Sequence, residues 1–239
     1  LARNFADPRV GAVIGHLQYR DPSDSVGGRG ETIYWRYDHW LRRHASRTLG
    51  IIPGITGGVF AIRKNLYFPL SDDRGDDYEL CTGIAIRGHA VVFEPDAVAE
   101  ERASETTRQQ FHRKIRLVRW NTMSSLLLIR DAFRFGRPWV AIQVISHRLL
   151  RYTVPVWLVL ALAASLALAP TSQTFRALAL LQIAFYFVGA TGWAAETARI
   201  SLPRVCLIPS YFVMVNMAAM CGLVAGITRG QASLWQKQR

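Results

Sequence analysis

The sequence predicts a mixed α/β domain followed by amphipathic helices and an α-helical membrane region. Three observations carry this reading. Short strand-like runs alternate with Gly, Pro and Asp loops up to residue 107. A basic, amphipathic stretch follows over 108–151. Residues 152–239 then hold three uncharged apolar runs. With 239 residues, the chain has room for one large domain or for a smaller one plus a membrane region.

Within the first region, residues 10–19 are apolar with interspersed Gly, the pattern of a strand. A loop follows over 20–30, with Pro22, Gly27, Gly28 and Gly30. Residues 31–46 have helical spacing, with Ile33, Tyr37, Trp40 and Leu41 on one side. The added aromatics Tyr34 and Trp35 suit a core helix at least as well as one that touches substrate. Residues 53–58 form a Gly-rich loop, including Gly57 and Gly58, with a short strand behind it at 59–63. That loop lacks the spacing of a phosphate-binding P-loop. After a Ser and Asp loop, residues 77–88 read as helix, and 90–93 as a strand ended by Pro95.

The second region is predicted helical over 106–135. Phe111, Ile115 and Val118 share one stripe, and His112, Arg116 and Arg119 the next. An apolar face beside a basic one describes a helix lying in a membrane interface. Residues 139–151 read as a second such segment. The apolar runs are 152–169, 177–195 and 205–227. Each approaches the roughly 20 residues that a span needs.

Charge supports a membrane setting. The net charge is +12, and beyond Asp131 the only acidic residue is Glu196. Basic residues flanking apolar runs suit an anionic, cytoplasmic leaflet. They bracket the runs instead of forming one soluble face, which argues against nucleic acid as the partner. An α/β domain in the cytoplasm with three crossings would leave the basic segment 229–239 outside. The positive-inside rule prefers it inside, so either one run is re-entrant or the rule is overridden. Cys81, Cys206 and Cys221 have neither metal-ligand spacing nor a disulfide framework, and read as small packing residues. The chain opens on Leu1 without a signal peptide, and reads as a fragment of a longer protein.

Chemistry concentrates in the acidic cluster of Asp72, Asp73, Asp76, Asp77 and Glu79. A carboxylate beside an acceptor hydroxyl serves as a general base. The same residues also suit a helix cap, since Asp76 and Glu79 have capping-box spacing. Arg113, Lys114, Arg116 and Arg119 suit a pyrophosphate clamp, but equally suit lipid headgroups.

Taken together, these motifs resemble family 2 inverting glycosyltransferases with membrane spans, the group of cellulose, chitin and hyaluronan synthases. The resemblance covers nearly the whole chain. Residues 5–13 resemble the segment shortly after the family's metal-binding Asp-x-Asp. Gly57, Gly58 and the strand after them resemble the acceptor-side loop. Gly75, Asp76 and Asp77 resemble the motif whose last Asp is the catalytic base, here Asp77. Glu94, Pro95, Asp96 and Ala97, with Glu100, resemble the family's strand exit. Gln110 and Arg113 match the Gln-x-x-Arg-Trp motif, while Lys114 stands where processive synthases have Trp.

The resemblance implies a partial GT-A-type domain on the cytoplasmic face of a plasma or inner membrane. It implies a nucleotide-sugar donor, UDP-linked in most of the family, and Mg²⁺ or Mn²⁺ on its diphosphate. The metal ligands would lie upstream of Leu1, leaving this fragment inactive by itself. Asp77 is the implied base. Asp76, Gly57, Gly58, Gln110, Arg113 and Lys114 are the implied acceptor and nucleotide contacts. The acceptor would be a growing glycan or a lipid-linked one. Transfer of a single sugar to a lipid carrier, or an inactive scaffold or transport subunit, are the alternatives.

Overall fold

The computed structural model describes residues 1–20, 40, 44, 58–70, 76–102, 107–198, 200 and 203–228. Residues 21–30 of the expected loop, all but two residues of the helix at 31–46, Gly57, Asp72, Asp73, Gly75 and the basic segment 229–239 lie outside the described residues, while Arg20, expected to open that loop, ends a strand. Among those described, the chain is mostly helical around a small three-stranded sheet.

Strand β1 (Val10–Arg20) is central. It pairs antiparallel with β2 (Phe60–Ile62) and parallel with β3 (Ala90–Arg102). Helix α1 (Asp76–Ile86) makes the crossover between β2 and β3 and packs on the sheet. The approach is close at Gly11, where a β-carbon would meet Ile84 Cγ2 at 2.5 Å and His89 Cβ at 2.7 Å. Only Gly lets helix and strand come so near.

β3 differs from expectation by running through Pro95. Its register explains why. Gly15 pairs with Glu94, but His16 pairs with Val98, so Pro95, Asp96 and Ala97 bulge from the ladder. A bulge is where a strand tolerates a residue without an N–H.

Helix α2 (Thr107–Arg134) matches the predicted amphipathic segment. Val118 is buried and Phe111 and Ile115 half-buried, while His112 and Arg116 are exposed. Farther along, Leu128 and Ala132 join the α/β core. Helix α3 (Pro138–Val144) adds Val140 and Ala141 to the same core. It continues through a π-helical turn (Ile145–Leu149) into α4 (Leu150–Leu168). The segment read as a second interfacial helix thus joins the first apolar run without a break. Helices α5 (Gln173–Thr197) and α6 (Arg204–Thr228) follow.

Three helices are long and apolar enough to cross a membrane: Pro138–Leu168, Gln173–Glu196 and Val205–Thr228. Large apolar side chains face outward, with Leu181 68% and Phe187 69% exposed. The first of them, at 31 residues, is about 46 Å long, against a hydrocarbon core of about 30 Å. Counting back about 20 residues from Leu168, the length of one crossing, reaches the π-turn that carries Arg148.

Candidate active site

Helix α1 presents the acidic motif. Its later residues Cys81, Ile84, Ala85 and Ile86 are buried in the core, so the first turn is held by a fixed rod. Asp76 begins the helix and Asp77 follows in the first turn, half-buried. A helix N-terminus favours the ionised carboxylate. Only the backbone of Asp76 is described, while Glu79 is buried at 6% exposure. Burial pushes the Cys81 thiol up to about 12, with the Asp77 charge adding to the effect. Cys81 is a packing residue, as expected.

Tyr78, beside Asp77, ties α1 to α2 and to the π-turn. Its hydroxyl shares a 2.9 Å hydrogen bond with Ser125 Oγ of α2. The guanidinium of Arg148, on the π-turn, lies 4.2 Å from the Tyr78 ring centroid. Arg148 Nη1 donates to Tyr152 Oη at 3.1 Å, and Asn121 Nδ2 donates to the same oxygen at 3.1 Å. Burial raises the Tyr78 phenol above its ordinary range, against the pull of Arg148. Neither Arg148 nor Tyr152 stood out in the sequence. A π-turn breaks the helical register, so simple periodicity does not read it.

The Gln110–Arg113–Lys114 motif lies on the first turns of α2. Gln110 is buried at 3% exposure. Arg113 Nη2 pairs with Glu101 Oε1 at 3.2 Å, at the end of β3. Lys114 Nζ lies 5.6 Å from the Tyr211 ring centroid on α6. Around them, Thr107 Oγ1 donates to Glu196 Oε1 at 2.6 Å, and Phe111 stacks against Trp193 at 5.2 Å. The motif therefore sits against α5 and α6. The Tyr78 contact at Ser125 lies 15 residues beyond Gln110, about 22 Å along α2. The acidic turn and the Gln110 turn meet α2 at different places.

Gly58 is described and exposed just before β2. Behind it, Arg63 staples the N-terminal segment. Its Nε donates to the Val10 carbonyl at 2.6 Å, and its Nη2 to those of Phe5 and Asp7 at 2.9 and 2.8 Å. Glu94 is a structural carboxylate. Arg3 holds it through two bonds at 3.0 and 2.9 Å, and Asn4 through one at 2.8 Å. The hydrogen bonds from Arg3, then Asn4, hold its carboxyl down to about 2.

Among the described residues, no group of three or more His, Cys, Asp or Glu side chains could hold a metal ion. They do not fit a Mg²⁺ or Mn²⁺ site.

No family model and no curated protein matches the chain. Among solved structures it is similar to a mannosyltransferase, PcManGT from Pyrobaculum calidifontis, in complex with GDP-Man and Mn²⁺. The TM-score is 0.51 at 20% identity, over 95% of this chain and 56% of that one. This chain thus spans little more than half the length of that structure. What the two share is the fold, and the small sheet fits part of an α/β domain like that structure's.

Proposed function

We propose that the chain belongs to a membrane glycosyltransferase that moves a sugar from a nucleoside diphosphate donor to a glycan or lipid-linked acceptor, with inversion. The observation that carries the reading is the fold shared with a mannosyltransferase across 95% of the chain. The acidic turn of α1, held rigidly beside apolar helices, supports it.

In this reading Asp77 takes the proton of an acceptor hydroxyl as that oxygen attacks the anomeric carbon. The bond from that carbon to the diphosphate breaks on the opposite face, and the configuration inverts. Asp76, Gly57 and Gly58 border the acceptor. Gln110, Arg113 and Lys114 close over acceptor and nucleotide, with Arg113 exchanging Glu101 for the leaving diphosphate. The neighbour's complex contains GDP-Man and Mn²⁺. Here the donor is a nucleotide sugar of the UDP or GDP type, and a divalent cation would need ligands other than the described residues. The α/β domain faces the cytoplasm.

The test is transfer from radiolabelled UDP- and GDP-sugars by the full-length protein in membrane vesicles. Label in an acceptor, with inverted configuration, supports the reading. No transfer and no donor hydrolysis with any donor overturns it. Product length separates a polymer from a single added sugar. Arg113→Ala should raise the donor KM about tenfold or more, as loss of one charge-assisted contact does. A fall in membrane association alone would assign Arg113 to lipid headgroups.

A further inference from the structure

We infer that α6 does not cross the membrane but lies along its water-side boundary, so that residues 229–239 emerge on the same side as the α/β domain. The inference rests on the reading that the apolar helices meet a bilayer. It follows from what α6 touches along its length.

Helices α4 and α5 form a hairpin with its turn at residues 169–172. The other ends of the hairpin lie by the α/β domain. α4 is continuous with α3, which is in the domain core, and the last turn of α5 carries Glu196, bonded to Thr107 of α2. These two ends mark the near boundary.

The first half of α6 packs antiparallel on the second half of α5, with the Phe212 and Phe185 rings 5.3 Å apart. A β-carbon on Gly189 would meet Val213 Cγ2 at 2.5 Å, and one on Gly192 would collide with Ser210. Ala219 then clusters with Tyr152, at the start of α4, and with Val118 of α2. From Ser210 to Ala219 the helix advances about 14 Å, and it passes from the second half of one hairpin arm to the near end of the other. That path is lateral.

The second half fixes the direction. A helix entering at Arg204 and crossing would reach the far boundary about 20 residues later. Instead, a β-carbon on Gly222 would lie 2.7 Å from Val118 Cβ and 2.8 Å from the Ile115 carbonyl oxygen. One on Gly226 would lie 3.2 Å from the Arg119 carbonyl oxygen. Those residues belong to the middle of α2, within a few turns of Ser125, which bonds Tyr78 of the α/β domain. Small residues allow this backbone-close packing of α6 along α2.

The outer face of α6 fits a bilayer entered from the side. Val205, Ile208 and Ile227 are 77%, 64% and 68% exposed. Beyond Arg204, the other side of α6 carries no charge of its own and packs on the amphipathic α2, which supplies the water-facing side of the pair. The segment after it carries Arg229, Lys237 and Arg239 and no acid, which suits anionic headgroups on the near leaflet. The conflict with the positive-inside rule then disappears, because two crossings return the chain to its starting side.

The experiment is single-cysteine labelling of the full-length protein, in a background lacking Cys81, Cys206 and Cys221, with a membrane-impermeant maleimide on sealed vesicles of each orientation. Asn65→Cys reports the α/β domain, Ser172→Cys the hairpin turn and Ser233→Cys the segment after α6. The expected result is that the reporters at 65 and 233 label from one side and that at 172 from the other. Labelling of 233 together with 172 overturns the inference and makes α6 a third span. Labelling of all three from one side removes the bilayer crossing itself, and the inference with it. Should the substituted background fold poorly, an epitope tag after Arg239 in the native-cysteine protein reports the side of that segment by antibody access.

Discussion

Replacing Arg148 with Ala tests whether the acidic turn is anchored through the membrane-side helices. At least two contacts are lost together. One is the guanidinium over the Tyr78 ring at 4.2 Å, a cation–π contact worth about 2 kcal/mol when sheltered from water. The other is the bond to Tyr152 Oη at 3.1 Å, worth about 1.5–3 kcal/mol from a charged donor. The two share one side chain and are not additive. A net loss of about 3 kcal/mol is the expectation, which lowers the melting temperature by about 6–12 °C in a chain of this size. Thermal unfolding of the detergent-solubilised full-length protein, followed by tryptophan fluorescence, reads the shift. Arg148→Lys keeps the charge but not the planar stacking surface, and should lose about half as much. Arg134→Ala, on the exposed last turn of α2, is the control. A drop for Arg148→Ala no larger than the control would refute the anchoring of α1 through Arg148.

Two further outcomes follow from the environments of single groups. Cys81 should resist a soluble maleimide at pH 8 in the folded protein, because burial holds its thiol up near 12. Exposed Cys221 supplies a labelled reference in detergent, and equal labelling of both by mass spectrometry would contradict the core placement. Glu94, held down to about 2 chiefly by Arg3, binds its proton more readily when unfolded, near the ordinary value of about 4.3. Its stabilisation is therefore complete above about pH 4.3 and is lost as pH falls towards 2. Glu94→Gln should flatten the loss of melting temperature between pH 5 and pH 3. Asp7, lowered to about 2 by its bonds to Arg9, keeps part of that slope. An unchanged slope would show that Arg3 does not hold Glu94 in solution.

Much of the helical architecture was legible because it is periodic. The stripe of Phe111, Ile115 and Val118 located α2, and uncharged length located the three apolar helices. The lie of α6 was not legible, because an apolar run has the same composition whether it crosses a bilayer or lies along it. What sets its path is packing of Gly222 and Gly226 against α2, a contact between helices about a hundred positions apart. β3 continued past Pro95 because a bulge, invisible to propensity, absorbs three residues. At the candidate site, the acidic turn and the Gln110 motif stood out by residue type and order. The groups that hold the site did not. Arg3 lies 91 positions from Glu94, and Arg148 reaches Tyr78 across the fold from a π-turn. Such pairs exist only once the chain has folded, and neither member is unusual by itself.

The proposed chemistry turns on Asp77 as the base of a sugar-transfer reaction. Its decisive test compares Asp77→Asn with wild type in the full-length protein, reading sugar transfer per membrane-inserted molecule. The amide keeps the size of the side chain but cannot take a proton. The expected loss is at least about a hundredfold, in keeping with removal of a general base, with insertion and donor KM unchanged. Transfer within a few-fold of wild type would contradict the assignment, leaving the acidic turn of α1 as a helix cap.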